Sequence, residues 1–283
     1  MSLSRHRLLA AAITATLALA SSATWAADAP APVDQPYPGH LTVAVDLTGA
    51  PKKIFRVNET IPVTPGPLTL YYPKWIPGEH APSGPIQNVA GVVIKANGKQ
   101  LVWRRDLREM YALNLQVPDG VSQIELSFQF LSPGDGGEFG ASASSTPDLV
   151  DVEFNQTAFY PAGYYTRQIT IQPSVTLPAG WKFASAMDVA SQSGNTTRFK
   201  PLHFNNLVDS PLIAGKYFNR VDLDPGAKVP VHLTVVGDEA SDVKITDKQL
   251  AGQRAVVQQT AKLFGAHHYD HYDFLLTLSD HTG

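Results

Sequence analysis

The 283-residue sequence contains no cysteine. That excludes disulfides, thiolate nucleophiles and zinc–thiolate sites, so a hydrophobic core must hold the chain together. Also missing are His-Glu-x-x-His, Gly-x-Ser-x-Gly and a glycine-rich phosphate cradle. The usual local signatures of zinc hydrolases, serine hydrolases and nucleotide-binding proteins are therefore absent. A formal net charge of -3 gives no basic face, and nucleic acid is not an expected partner. Beyond the N-terminus no apolar stretch approaches the roughly 20 residues that a bilayer span requires.

What is present begins with Arg5 and Arg7, an apolar run from Leu8 to Ala20, and small residues at Ala23, Ala26 and Ala27. These are the three parts of a secretory signal peptide over residues 1–26, with cleavage after Ala26. The mature chain is expected to be exported, to a periplasm or beyond, with no transmembrane segment left. Residues 27–40, rich in Pro and Ala, read as an extended, unstructured lead-in.

From Leu41 the pattern changes to period two. Leu41, Val43, Val45 and Leu47 alternate with small or polar residues, as do Leu113, Leu115 and Val117, and Ile124, Leu126, Phe128 and Phe130. Each set places one apolar face on a strand. Asn97-Gly98 lies between two such runs and suits a tight type I′ hairpin. Prolines between Ile61 and Ile86 divide that stretch into short extended pieces, and Ser132 to Pro147 reads as a flexible Gly/Ser/Pro-rich loop. Further strands are expected over 167–172, 196–200, 215–221 and 229–236. The fold class is mainly β, a two-sheet sandwich over residues 41–238.

After residue 239 the texture becomes helical. Thr246 and Gln249 fit a capping box, Leu250, Val257, Ala261 and Phe264 share one helical face, and Gly265 is placed to close the helix. A strand over 272–278 follows. Residues 239–283 read as the start of a second unit.

Four groups of residues invite a chemical reading. His267, His268, Asp270 and His271 have metal-ligand chemistry, but the helix that would aim imidazoles four apart at one ion has ended at Gly265. A solvated polar turn is expected. Asp209 and Ser210 are adjacent on extended chain and point in opposite directions, so they read as a turn rather than a catalytic pair. Asp148, Asp151 and Glu153 could face a cleft, yet no spacing gives them partners, and a solvated edge is the simpler reading. Tyr71, Tyr72 and Trp75 beside prolines suggest either an aromatic surface for peptide or carbohydrate, or packing in a β core. The residues alone assign no catalytic group, no metal ligand and no substrate contact.

Pro73-Lys74-Trp75-Ile76-Pro77-Gly78 resembles the Pro-x-Trp-x-Pro-Gly signature of the glycyl aminopeptidase family, which are secreted metallopeptidases. Val208 to Gly215, Leu263-Phe264-Gly265 and Tyr272 to Asp280 agree with that family in the same order. The resemblance implies an N-terminal β-sandwich domain followed by the first helix and strand of an α/β thermolysin-like (gluzincin) catalytic domain, truncated here. It implies a zinc-dependent aminopeptidase that removes small N-terminal residues from peptides. The family's zinc ligands and general base would follow Gly283, so this chain is expected to bind no zinc and to be inactive alone. Loops around Asn155 and Asp209 would face the catalytic cleft.

The rival expectation is a stand-alone exported β-sandwich that binds peptide or glycan without chemistry. The two differ at Leu250, Val257, Phe264 and Leu276, which a fragment would leave partly exposed and a self-sufficient protein would bury.

Overall fold

The structure is a computed structural model that describes residues 29–133 and 144–282. The expected signal peptide over 1–26 and most of the Ser132 to Pro147 loop lie outside the described residues. The fold is mainly β, a sandwich with several sheets and one long helix.

The largest sheet has nine strands. Its main path runs Val189–Ser193, Thr196–Phe199, Thr170–Thr176, His40–Asp46, Ile54–Pro62, Gln123–Leu131, Val89–Ala96 and Lys99–Leu101, with Leu202–His203 also paired to Thr170–Thr176. All neighbours are antiparallel except His40–Asp46 and Thr170–Thr176, which run parallel with Val43 opposite Pro173. Alternation along the central strands is strict: Leu41, Val43 and Val45 point inward from one, Phe55, Val57 and Ile61 from the next. The Asn97-Gly98 hairpin forms as expected, with both residues at positive φ.

Two smaller sheets close the other side. One pairs Tyr160–Pro161, Gly66–Tyr71, Ala112–Val117 and Trp103–Arg105, and the other pairs Lys182–Ser185, Leu212–Gly215 and Leu149–Val152. Side chains from all three sheets, among them Phe130, Leu70, Leu115, Val152 and Leu212, belong to a single buried cluster. At roughly 25 cal/mol for each Å² of apolar surface removed from water, a core of this kind can stand without disulfides.

The lead-in differs from expectation. Val33 donates its amide to the Gly163 carbonyl at 3.0 Å and Tyr37 donates to Gln168 at 2.9 Å. The Tyr37 ring meets Tyr164 edge-on at 4.9 Å, and Arg167 donates to Asp34 at 2.8 Å. Residues 33–37 are thus tied to the sandwich by backbone and side-chain bonds that composition does not reveal.

A last sheet comprises Tyr217–Asp222, Val231–Gly237 and Tyr272–Leu278, the final pair parallel and joined by the helix Asp247–Phe264. The helix starts in the expected capping box at Thr246 and ends on Gly265 in the left-handed conformation. Val257 packs on Leu223, Val231, Leu233 and Val235, while on another face Val236 clusters with Leu149, Ala184 and Ile213 of the sandwich. Asp238 fixes this junction by accepting from Thr146 Oγ1 at 2.6 Å and Ser279 Oγ at 2.5 Å. Among the described residues no helix is long and apolar enough to cross a membrane.

Exposure at the diagnostic positions is mixed. Val257 is 6% exposed and Leu250 half-buried, whereas Phe264 is 71% and Leu276 41% exposed. Leu263, Val256, Tyr272 and Leu278 add to the apolar surface of the helix and terminal strand.

Candidate functional site

The strand Leu149–Val152 is buried at Leu149, Val150 and Val152 and therefore shows no alternation in sequence. Asp151, opposite Ile213 in the ladder, has an Oδ1 shielded from solvent and without a hydrogen-bond partner. Immediately after the strand the chain tightens into a 3₁₀ turn, Phe154–Gln156. The Gln156 amide donates to the Glu153 carbonyl at 3.0 Å, and Gln156 Nε2 donates to Glu153 Oε2 at 3.4 Å.

Core side chains hold the turn from beneath. Tyr72 donates its hydroxyl to the Gln156 carbonyl at 3.1 Å, and the Phe159 amide donates to Glu59 Oε2 at 2.9 Å. The rings of Tyr72 and Phe128 pack on Phe159 with centroids 5.2 and 5.3 Å away. Both amide atoms of Asn155, together with Gln156 Oε1, are buried without partners.

The electrostatics follow from this burial. Loss of hydration pushes the Asp151 carboxyl up to about 7. Burial also pushes Glu153 up to about 7, reinforced by the charges of Asp151 and Glu79 and opposed by the Gln156 hydrogen bond. Each carboxyl would hold its charge more readily beside a cation, because an ammonium group replaces lost hydration and cancels the like-charge repulsion. Near neutral pH both carboxyls therefore stand between their neutral and charged forms.

Glu79 comes from the loop that carries Trp75. That loop is braced: Tyr111 donates its hydroxyl to Pro82 and Gly84 carbonyls at 3.1 and 3.0 Å, and Gly84 donates to Lys74 at 3.1 Å. Lys74 pairs with Glu109 at 2.6 Å and lies over the Tyr111 ring. A Cβ on Gly84 would fall 1.9 Å from the Pro73 carbonyl oxygen, so only glycine fits this close approach.

The candidates read from sequence divide. Asp151 and Glu153 share a shielded end of the sandwich rather than a solvated edge, because core side chains cover the strand Leu149–Val152 and the turn that follows it. Asp148 stands apart at the other end of that strand, paired with Lys216 at 3.3 Å. Tyr72 belongs to the core, whereas Trp75 is 65% exposed. Ser210 closes a turn after the short helix Phe204–Val208, donating its hydroxyl to Asn206 at 2.7 Å, and is not paired with Asp209. That turn lies at the same end as Glu153, since Leu212 pairs with Val152.

His267 and His268 are exposed as expected. His271 is half-buried: its Nδ1 lies 2.9 Å from Asp273, which also accepts from Arg220 at 2.8 Å. No group of three or more potential metal ligands exists among the described residues. Sequence reading missed Glu59, although it stands at an inward position between Val57 and Ile61, where a charged residue is a legible anomaly.

No curated protein matches the chain significantly. Among solved structures, an aminopeptidase N family protein from Idiomarina loihiensis superposes with a TM-score of 0.70 at 16% identity, over 84% of this chain and 39% of that one. An M1 zinc metallopeptidase from Deinococcus radiodurans gives a TM-score of 0.48 at 12% identity, over 87% of this chain and 57% of its own. The chain thus spans less than two thirds of the structures it matches, and the likeness concerns the fold alone. The family model of the peptidase M61 N-terminal domain matches residues 42–216, and the chain belongs to that family.

Proposed function

We propose that this chain is the N-terminal part of an exported zinc-dependent aminopeptidase of the glycyl aminopeptidase group, acting on peptides with small N-terminal residues. The β-sandwich walls one side of the cleft and receives the peptide's amino end at the Glu153 turn. The unit from residue 239 onward opens the catalytic domain, extending the sheet of Tyr217–Asp222 and Val231–Gly237. The leader over residues 1–26 supports export.

The described residues do not fit a zinc ion, since no set of three donors converges. No step is therefore routed through zinc, and what this chain's residues do is bind and orient. The observation that carries the reading is the pair Asp151 and Glu153, held above the usual carboxylate range at a turn with unpaired buried amide groups. Such a pair gains most from a protonated amine, and an aminopeptidase must recognise one. Of the four discriminating positions, the exposed Phe264 and Leu276 support this over a stand-alone sandwich, while Val257 is buried and Leu250 half-buried.

The test is calorimetric titration with glycinamide near neutral pH in two buffers of different ionisation enthalpy. Binding with proton release is expected, lost on Glu153→Gln and absent for N-acetylglycinamide. Equal binding of the acetylated compound, or none by the unaltered chain, would refute amine recognition.

A further inference from the structure

Glu59 lies on Ile54–Pro62, at the middle of the large sheet, and is 1% exposed. Its ladder partners are Val43 and Leu126, both buried apolar residues. A hydrophobic side chain would fill this place without any desolvation cost. What a hydrophobic side chain cannot do is accept the hydrogen bond that Phe159 donates to Oε2 at 2.9 Å. Phe159 is where the chain leaves the acidic turn, three residues beyond Gln156, whose carbonyl Tyr72 grips at 3.1 Å. Two core side chains thus hold the segment, Tyr72 at its middle and Glu59 at its Phe159 end.

We propose that Glu59 is a positioning residue, which fixes the Glu153–Phe159 segment through the Phe159 amide and so holds Glu153 and Asn155 for an incoming amine. The inference rests on the amine-recognition reading given above. Burial keeps the Glu59 carboxyl well above the usual carboxylate range, opposed only by the Phe159 amide. The acid serves as a neutral acceptor, and its Oε1 has no partner among the described residues. Glutamine reproduces that neutral acceptor, whereas leucine keeps the bulk and removes it.

Amide exchange at Phe159 and NMR titration with glycinamide, on the unaltered chain, Glu59→Gln and Glu59→Leu, test this. Exchange at Phe159 should be slow in the first two and about tenfold faster in the leucine variant, the loss of one hydrogen bond. Glycinamide affinity should stay within about twofold for Gln and fall about tenfold for Leu. A leucine variant that matches the unaltered chain in both readouts would overturn the proposal, as would a Gln variant as impaired as Leu. If Leu fails to fold, slow Phe159 exchange and intact affinity in the Gln variant support it, and fast exchange in the unaltered chain overturns it. Failure of the unaltered chain to bind glycinamide would remove amine recognition, while the exchange data still decide whether Glu59 anchors the turn.

Discussion

Replacing Asp151 with Asn should flatten the pH dependence of stability. In the folded protein the carboxyl is pushed from an ordinary 3.8 to about 7 by burial. At about 1.4 kcal/mol for each tenfold change in acidity constant, the difference corresponds to about 4 kcal/mol of penalty for ionising it in place. Because the folded state holds the proton more tightly than the unfolded state, unfolding releases it throughout this interval. The group's contribution is therefore complete below about pH 4, declines as pH rises toward 7, and levels off above that. Glu153 acts in the same direction but is better hydrated, so its share is smaller.

Urea unfolding of both proteins at several pH values between about 5 and 8 isolates the effect, because titrations other than that of Glu153, which the Asp151 charge also raises, cancel in the difference. The free energy of the original chain should drop relative to Asp151→Asn by about 2–4 kcal/mol across the range. Absolute stability is the less useful measure, since the new amide hydrogens cost about 1–3 kcal/mol if unpaired. Parallel pH profiles for the two proteins would refute the reasoning, and so would a difference of opposite sign.

Other outcomes follow from single contacts. Gly84→Ala should cost about 1–3 kcal/mol through the clash with Pro73 and open the Trp75 loop to proteolysis, which limited digestion would show. Thr246→Ala removes the capping box and should lower stability by about 1 kcal/mol in denaturant titration. Asp238→Ala leaves Thr146 and Ser279 without their acceptor, and hydrogen exchange should accelerate in Tyr272–Leu278 before it does in the large sheet.

Elements governed by neighbouring residues were legible in the sequence. The helix announces both its ends, at Thr246 and Gly265, and Asn97-Gly98 names its own turn. Strands with one wet face, such as His40–Asp46 and Gln123–Leu131, alternate and were found. Leu149–Val152 is buried at three of its four positions, so the period of two vanishes and Asp151 looks solvated although its Oδ1 is shielded. Asp151 and Glu153 are conspicuous as carboxylates, but their altered acidity arises chiefly from burial in the folded sandwich, with the charges of Asp151 and then Glu79 adding to it at Glu153. Glu59 was visible only as a break in the inward row of Phe55, Val57 and Ile61. The order of strands in the large sheet was not readable, because the pairing of His40–Asp46 with Thr170–Thr176 carries no local mark.

That parallel pairing has a consequence for the order of assembly. The first strand of the sandwich finds one neighbour nearby, Ile54–Pro62, but its other edge stays open until Thr170–Thr176 has been synthesised. Contacts so distant along the chain close slowly, since the intervening loop must surrender its freedom before it gains anything. The large sheet consequently cannot close around its first strand until Thr170–Thr176 has emerged and found it.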